Sequence, residues 1–178
     1  MDDHEFYDLL FEDLQERFGR FDAATLTAIV GFHAGGPISL RTIGLQDQAY
    51  PLFATCELAV SPDQKRGALG PFELVMSVND RGFAHAVLTA LGGISLDAVL
   101  EPGDTIDVSG VVDDDCPITG IALELEEELE IDGRPYSILR CIGLTSRQLR
   151  RAQRKGAARV CKELAAAGRA PQIDVNGR

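Results

Sequence analysis

The stretch "ITGIALELEEELEIDGRPYSILRCIGL", residues 118–144, decides the fold. Asp132-Gly133 is a strong hairpin signal, because a two-residue type I′ turn needs positive φ at both central positions. Apolar residues alternate with polar ones on its N-terminal side, so the stretch reads as two strands joined by a tight turn. Successive side chains of a strand point to opposite faces. Glu124, Glu126, Glu128 and Glu130 are therefore expected on one face, with Leu123, Leu125, Leu129 and Ile131 on the other; Glu127 breaks the alternation.

The segments before this hairpin extend the sheet. "TLTAIVGFHAGGPISLRTIGLQD" reads as a strand, a loop at Gly35-Gly36-Pro37 and a second strand, and "ATCELAVSP" and "GPFELVMSVND" as two more. "RGFAHAVLTALGG" switches period: Phe83, Val87 and Leu91 share a helical face, Asn79 or Asp80 offers an N-cap, and Gly92-Gly93 is the expected stop. "LEPGDTIDVSG" reads as a turn into a strand. At the N-terminus, Tyr7, Phe11, Leu14 and Phe18 follow an i, i+4, i+7, i+11 spacing, which predicts an amphipathic helix over residues 4–18 that stops at Gly19.

A last helix is expected from Thr145 or Ser146 to Gly168, with Leu149, Ala152, Gly156, Val160 and Leu164 on its apolar face. Strands in runs, with helices at both ends and one in the middle, predict an α+β fold with a largely antiparallel sheet. No linker or repeat divides residues 1–178, so one domain is expected.

Charge is uneven. The chain carries a net charge of −11, yet from Arg140 onward ten Lys/Arg face only Glu163 and Asp174, a net +8 that leaves −19 on the rest. Arg147, Arg150, Arg151, Arg154, Lys155 and Arg159 crowd the last helix. An acidic body repels a phosphate backbone and offers these arginines counter-charges of its own, so internal pairing is expected in preference to nucleic-acid binding. The acidic start and the lack of a long apolar run predict a cytosolic chain that does not engage a membrane.

The residues also exclude several chemistries. Cys56, Cys116, Cys141 and Cys161 stand singly, as do His4, His33 and His85, without the spacing of a zinc site or a disulfide framework; reduced thiols and no metal or other cofactor are expected. There is no nucleophile elbow, phosphate-binding loop, dinucleotide fingerprint or H-E-x-x-H motif. Asp113-Asp114-Asp115 lacks the D-x-D-x-D-G spacing of a calcium loop and reads as an acidic turn. A hydrolase with carboxylates gathered from separate strands is the enzymatic alternative, and binding of nucleic acid through the last helix is a third reading.

The order of segments resembles the suppressor-of-fused-like domain over residues 37–178. "LRTIGLQD" is followed by "CELAVSP", "FELVMSV", a short helix, "EPGDTI", "IGLTSRQLRRAQRKGAARVCKELAAAG" and "IDVNGR". Leu144-Thr145 stands where that family starts a helix, Gly156 near the helix middle, and Asp174 to Arg178 at the tail. The resemblance implies a mixed α/β protein-binding domain without enzymatic activity. Bacterial members are often immunity proteins of toxin systems, and an acidic surface suits a basic toxin partner. The partner-binding residues expected on this reading are Asp113, Asp114, Asp115, Glu124, Glu126, Glu128 and Glu130. The oligomeric state stays open.

Overall fold

The structure is a computed structural model that describes residues 3–22, 27–30, 38–43 and 50–176. Its spine is the hairpin of β6 (Gly120–Ile131) and β7 (Arg134–Leu144), closed by Asp132 at φ 48° and Gly133 at φ 77°, the two positive values that a type I′ turn requires. Around it lie β1 (Thr27–Val30), β2 (Ile38–Ile43), β3 (Leu52–Cys56), β4 (Phe72–Val78) and β5 (Thr105–Asp107) in the order β1-β2-β3-β4-β7-β6-β5. Neighbours are antiparallel except β4 and β7, which run parallel because the chain between them includes a crossing helix. The short β8 (Gln172–Ile173) lies parallel to the end of β4. The loop expected at Gly35-Gly36-Pro37 lies outside the described residues.

Helices cover both faces of this sheet, which makes three layers. On one face α2 (Arg81–Asp97) buries Phe83, Val87, Leu88 and Leu91 against Phe53, Leu74, Met76, Leu123, Leu139 and Cys141. On the other, α1 (Asp3–Phe18) places Phe6, Leu10 and Leu14 on Leu52, Val75, Tyr136 and Ile138. Beside it, α3 (Ser146–Lys155) and α4 (Ala157–Ala166) pack Leu149, Ala152, Val160 and Leu164 on Ala122, Ile142 and Leu144. Each of the Leu, Ile, Val, Phe and Met side chains among these contributes roughly 1.5–3 kcal/mol when fully buried. The α+β class expected from the sequence is the one observed. Among the described residues, no helix is long and apolar enough to cross a membrane.

Several local expectations are corrected. The core-facing stripe of α1 is Phe6, Leu10 and Leu14, while Tyr7, Phe11 and Phe18 are half-buried at its flank; Phe11 instead stacks on Phe21 at 4.8 Å. β3 stops at Cys56, because Glu57 takes φ 80° and turns the chain. α2 runs through Gly92-Gly93 to Asp97, since Leu91, Gly92 and Ser95 stay on the buried face and Ser95 Oγ donates to the Gly92 carbonyl at 2.7 Å. That burial outweighs the roughly 1 kcal/mol that each glycine costs in a helix.

The last helix is two helices. The start at Ser146 is one of the two expected, and Thr145 caps it through a capping box: Gln148 N donates to Thr145 Oγ1 at 3.4 Å, and Thr145 N donates to Gln148 Oε1 at 2.7 Å. Gly156, expected on the apolar face, is exposed and breaks the helix at φ 89°. α3 approaches the sheet closely at Gly120, where an added Cβ would stand 2.9 Å from Leu149 Cδ2.

Candidate partner-binding site

Asp80, the N-cap of α2, accepts the Phe83 amide on Oδ1 at 2.7 Å. From there its carboxylate borders a cleft of about 490 Å³ between the start of α2 and the loop that follows β5. Asp113 and Asp115 reach the cleft from that loop. Phe83, Val111, Val112 and Val175 supply its apolar lining, and Val111 is 44% exposed. The C-terminal tail forms the remaining wall, tethered by Asn79: its Nδ2 donates to Asp174 Oδ1 at 2.8 Å and its Oδ1 accepts Val175 N at 3.1 Å. Cys116, half-buried in the cleft, has its thiol pKa raised by burial first and then by Asp113, Asp115 and Asp80. Three carboxylates therefore surround one small apolar surface.

Of the aspartates singled out in the sequence, Asp113 and Asp115 meet in this cleft, and Asp114 is exposed without lining it. Sequence reasoning placed Asp80 only as a helix cap. The signal for its second role lies in the fold, which closes the 33-residue separation of Asp80 and Asp113. The arrangement can hold a cationic side chain with its aliphatic stem on the valines.

The glutamates of β6 do not form one ladder. A bulge between Leu125 and Glu127 shifts the register, so that Leu125 pairs with Leu139 but Glu127 pairs with Ile138. Glu124, opposite Arg140, stands on the α3–α4 side and hydrogen-bonds the Cys161 thiol, whose pKa burial and this carboxylate raise to about 12. Glu126 ion-pairs with Arg140 through both Nε and Nη2. Glu127, the break in the alternation, is bound by Arg17 Nη1 at 2.6 Å. Glu128 and Glu130, opposite Ser137 and Pro135, stand on the α2 side, exposed and without an ion pair among the described residues. Leu125, expected on the face opposite the glutamates, shares the α2 side with Glu128 and Glu130 once the bulge shifts the register, and is 38% exposed although its partner Leu139 is buried.

The carboxyl whose proton affinity moves furthest lies elsewhere. Glu73, on central strand β4, is fully buried; desolvation pushes its pKa up to about 8, against the opposing hydrogen bonds of Thr55 Oγ1 at 2.6 Å and Ala59 N at 2.9 Å. It lines neither this cleft nor a second one of about 320 Å³ bordered by Gln148, Arg169 and Ile173. The hydrolase reading requires a perturbed acid within a cleft, and Glu73 does not supply it. Among the described residues no three His, Cys, Asp or Glu side chains gather to hold a metal ion. Among the described residues no disulfide joins the cysteines; Cys56, Cys141 and Cys161 are buried and Cys116 is half-buried.

The internal pairing expected for the basic helix holds only in part. Arg151 Nη1 meets Glu163 Oε2 at 2.6 Å, and Arg159 reaches the same carboxylate at 3.4 Å. Arg147, Arg150, Arg154 and Lys155 are exposed and have no ion-pair partner among the described residues, because the single acid of the two helices is already taken.

The class defined by these layers is a mixed-sheet α+β fold with helices on both faces. No protein-family profile matches the sequence, and no curated protein sequence matches it significantly. Solved structures do match. One chain of "the Sufu-Fu complex crystal structure" is similar with a TM-score of 0.69 at 12% identity, over 98% of this chain and 90% of that one. Drosophila Suppressor of Fused is similar with a TM-score of 0.66 at 13% identity, over 89% of this chain and 45% of that one, so this chain spans just under half of that protein's chain. The chain has the suppressor-of-fused-like fold, as its order of segments implied.

Proposed function

We propose that this chain is a cytosolic, non-enzymatic protein-binding module of one domain that takes a basic protein partner, and that the partner is a toxin which it masks as an immunity protein. The observation that carries the reading is the convergence of Asp80, Asp113 and Asp115 on one cleft that holds a small apolar patch. The exposed Glu128 and Glu130 extend the acidic surface available to such a partner. Complementary charge speeds encounter, and the apolar lining of the cleft supplies what charge alone does not, a surface to bury. Support from the fold is general: one structure that matches this chain is that of a Sufu-Fu complex.

The test is affinity capture from native lysate at two salt concentrations, with nuclease present, using wild type and an Asp113→Asn/Asp115→Asn variant. One basic protein that wild type retains at low salt and the variant loses is the expected result, followed by relief of that protein's toxicity when the two are co-expressed. Equal capture by the variant contradicts the cleft as the site. A captured partner whose expression is harmless contradicts the immunity role.

A further inference from the structure

The layer formed by α3 and α4 is charged unlike the rest of the molecule. Residues 146–169 hold eight Lys/Arg against Glu163 alone, a net +7 in a chain of net −11. Arg147, Arg150 and Arg154 lie along the side of α3 opposite the buried Leu149 and Ala152, about 4.5 and 6 Å apart along the axis at 1.5 Å per residue. Their placement costs stability. Arg147 with Arg151, Arg150 with Arg154 and Arg151 with Lys155 are like-charge i,i+4 pairs, each of which weakens the helix slightly. The first turn of α3 carries no acid to suit the helix dipole and has Arg147 instead. Packing does not require the strip, since the core contacts come from Leu149 and Ala152.

We infer that the α3 strip binds the phosphate backbone of a nucleic acid, without reading its sequence. The surface offers charge and almost nothing else. The exposed large apolar side chains of the described residues are Leu9, Val99, Val111 and Leu125, none of them on α3 or α4. A membrane-surface helix keeps an apolar face for the acyl boundary, whereas the apolar faces of α3 and α4 are already spent on the sheet. A stable protein interface needs an apolar centre, which this layer lacks. Backbone phosphates need neither, because their affinity comes from cations that release counterions. No aromatic residue lies in residues 142–178 to stack on a base, so the binding is indifferent to sequence. The −18 carried outside residues 146–169 limits contact to the few phosphates that reach α3. This surface lies across the sheet from the acidic cleft and stands independently of it.

The experiment is fluorescence anisotropy of a labelled random-sequence duplex and a homopolymeric single strand, titrated with the full chain across a series of salt concentrations. Three arginine contacts predict a slope of log K against log salt of about −2 for the single strand and about −3 for the duplex. The Arg147→Ala/Arg150→Ala/Arg154→Ala variant is expected to lose at least tenfold in affinity at low salt and most of that slope, with a melting temperature slightly raised because like-charge repulsion is removed. Arg150→Lys is expected to keep most of the binding. Lys65→Ala, which removes an exposed cation from the α2 side, is expected to change nothing. Four results each overturn the inference: no binding by wild type at low salt, equal loss in the Lys65→Ala variant, uptake by anionic lipid vesicles without oligonucleotide binding, or displacement of the oligonucleotide by polyglutamate at equal charge.

Discussion

The glutamates of β6 and the arginines of α3 are both runs of like charge, and the fold treats them in opposite ways. On β6 the bulge at Leu125/Glu127 hands Glu126 to Arg140 and Glu127 to Arg17, while Glu124 bonds the Cys161 thiol, so three of five acids are engaged. On α3 only Arg151 meets an acid among the described residues. The difference comes from the elements. A strand in a sheet has cross-strand neighbours within about 5.5 Å on each face. A surface helix has only its own turns, and those of α3 are cationic. Net charge of the whole chain therefore says little about which charges are paired.

The comparison breaks most strongly at the far end of the acidic series, with Glu73. Its carboxyl is neutral in the core and has a pKa of about 8, against an ordinary 4.5 once unfolded. The folded state thus binds the extra proton between those values. Stability from this group is complete below about pH 4.5, declines as pH rises, and is gone above about pH 8. The slope approaches about 1.4 kcal/mol per pH unit within that window. Denaturant unfolding at several pH values should show the decline, and Glu73→Gln, which keeps an acceptor for Ala59 N, should flatten it. A parallel decline in the variant would assign the effect elsewhere.

Next in size is Glu126→Gln. It unpairs Arg140, whose side chain is only 12% exposed, and should cost about 1–2 kcal/mol in urea unfolding, with little dependence on salt. Smaller still is Arg151→Ala. That side chain and Glu163 are each about 40% exposed, so the loss should stay below about 1 kcal/mol and shrink as salt is added. Smallest, and opposite in sign, is Arg150→Ala: removing its repulsion of Arg154 should stabilise the chain by a few tenths of a kcal/mol at low salt. Destabilisation by Arg150→Ala would mean that the strip is held by contacts the described residues do not show.

Local chemistry made much of the fold legible. The Asp132-Gly133 turn, the α2 cap at Asp80, one of two candidates, and the α3 start at Ser146, also one of two, act within four residues and stand where the sequence allowed them. What escaped depends on distant partners. Glu73 interrupts "FELVMSV" where alternation predicts a solvent-facing acid, yet β4 is central in a sheet covered on both faces. One acid within an otherwise apolar run was the available sign. The bulge needed the register with β7, and the break at Gly156 needed the fold, in which Leu149 of α3 and Val160 of α4 reach one shared cluster on either side of it. Asp113 and Asp115 were visible as acids, but only the packing of their loop against α2 shows what they surround.

The most direct test of the cleft is an amide-resolved NMR titration of the full chain with a short lysine-rich peptide. Shifts are expected to concentrate at Gly82, Phe83, Val111, Asp113, Asp115 and Cys116, and to vanish in the Asp113→Asn/Asp115→Asn variant. Shifts spread evenly over Glu128, Glu130 and the other exposed acids, and unchanged in that variant, would contradict the cleft as the seat of recognition.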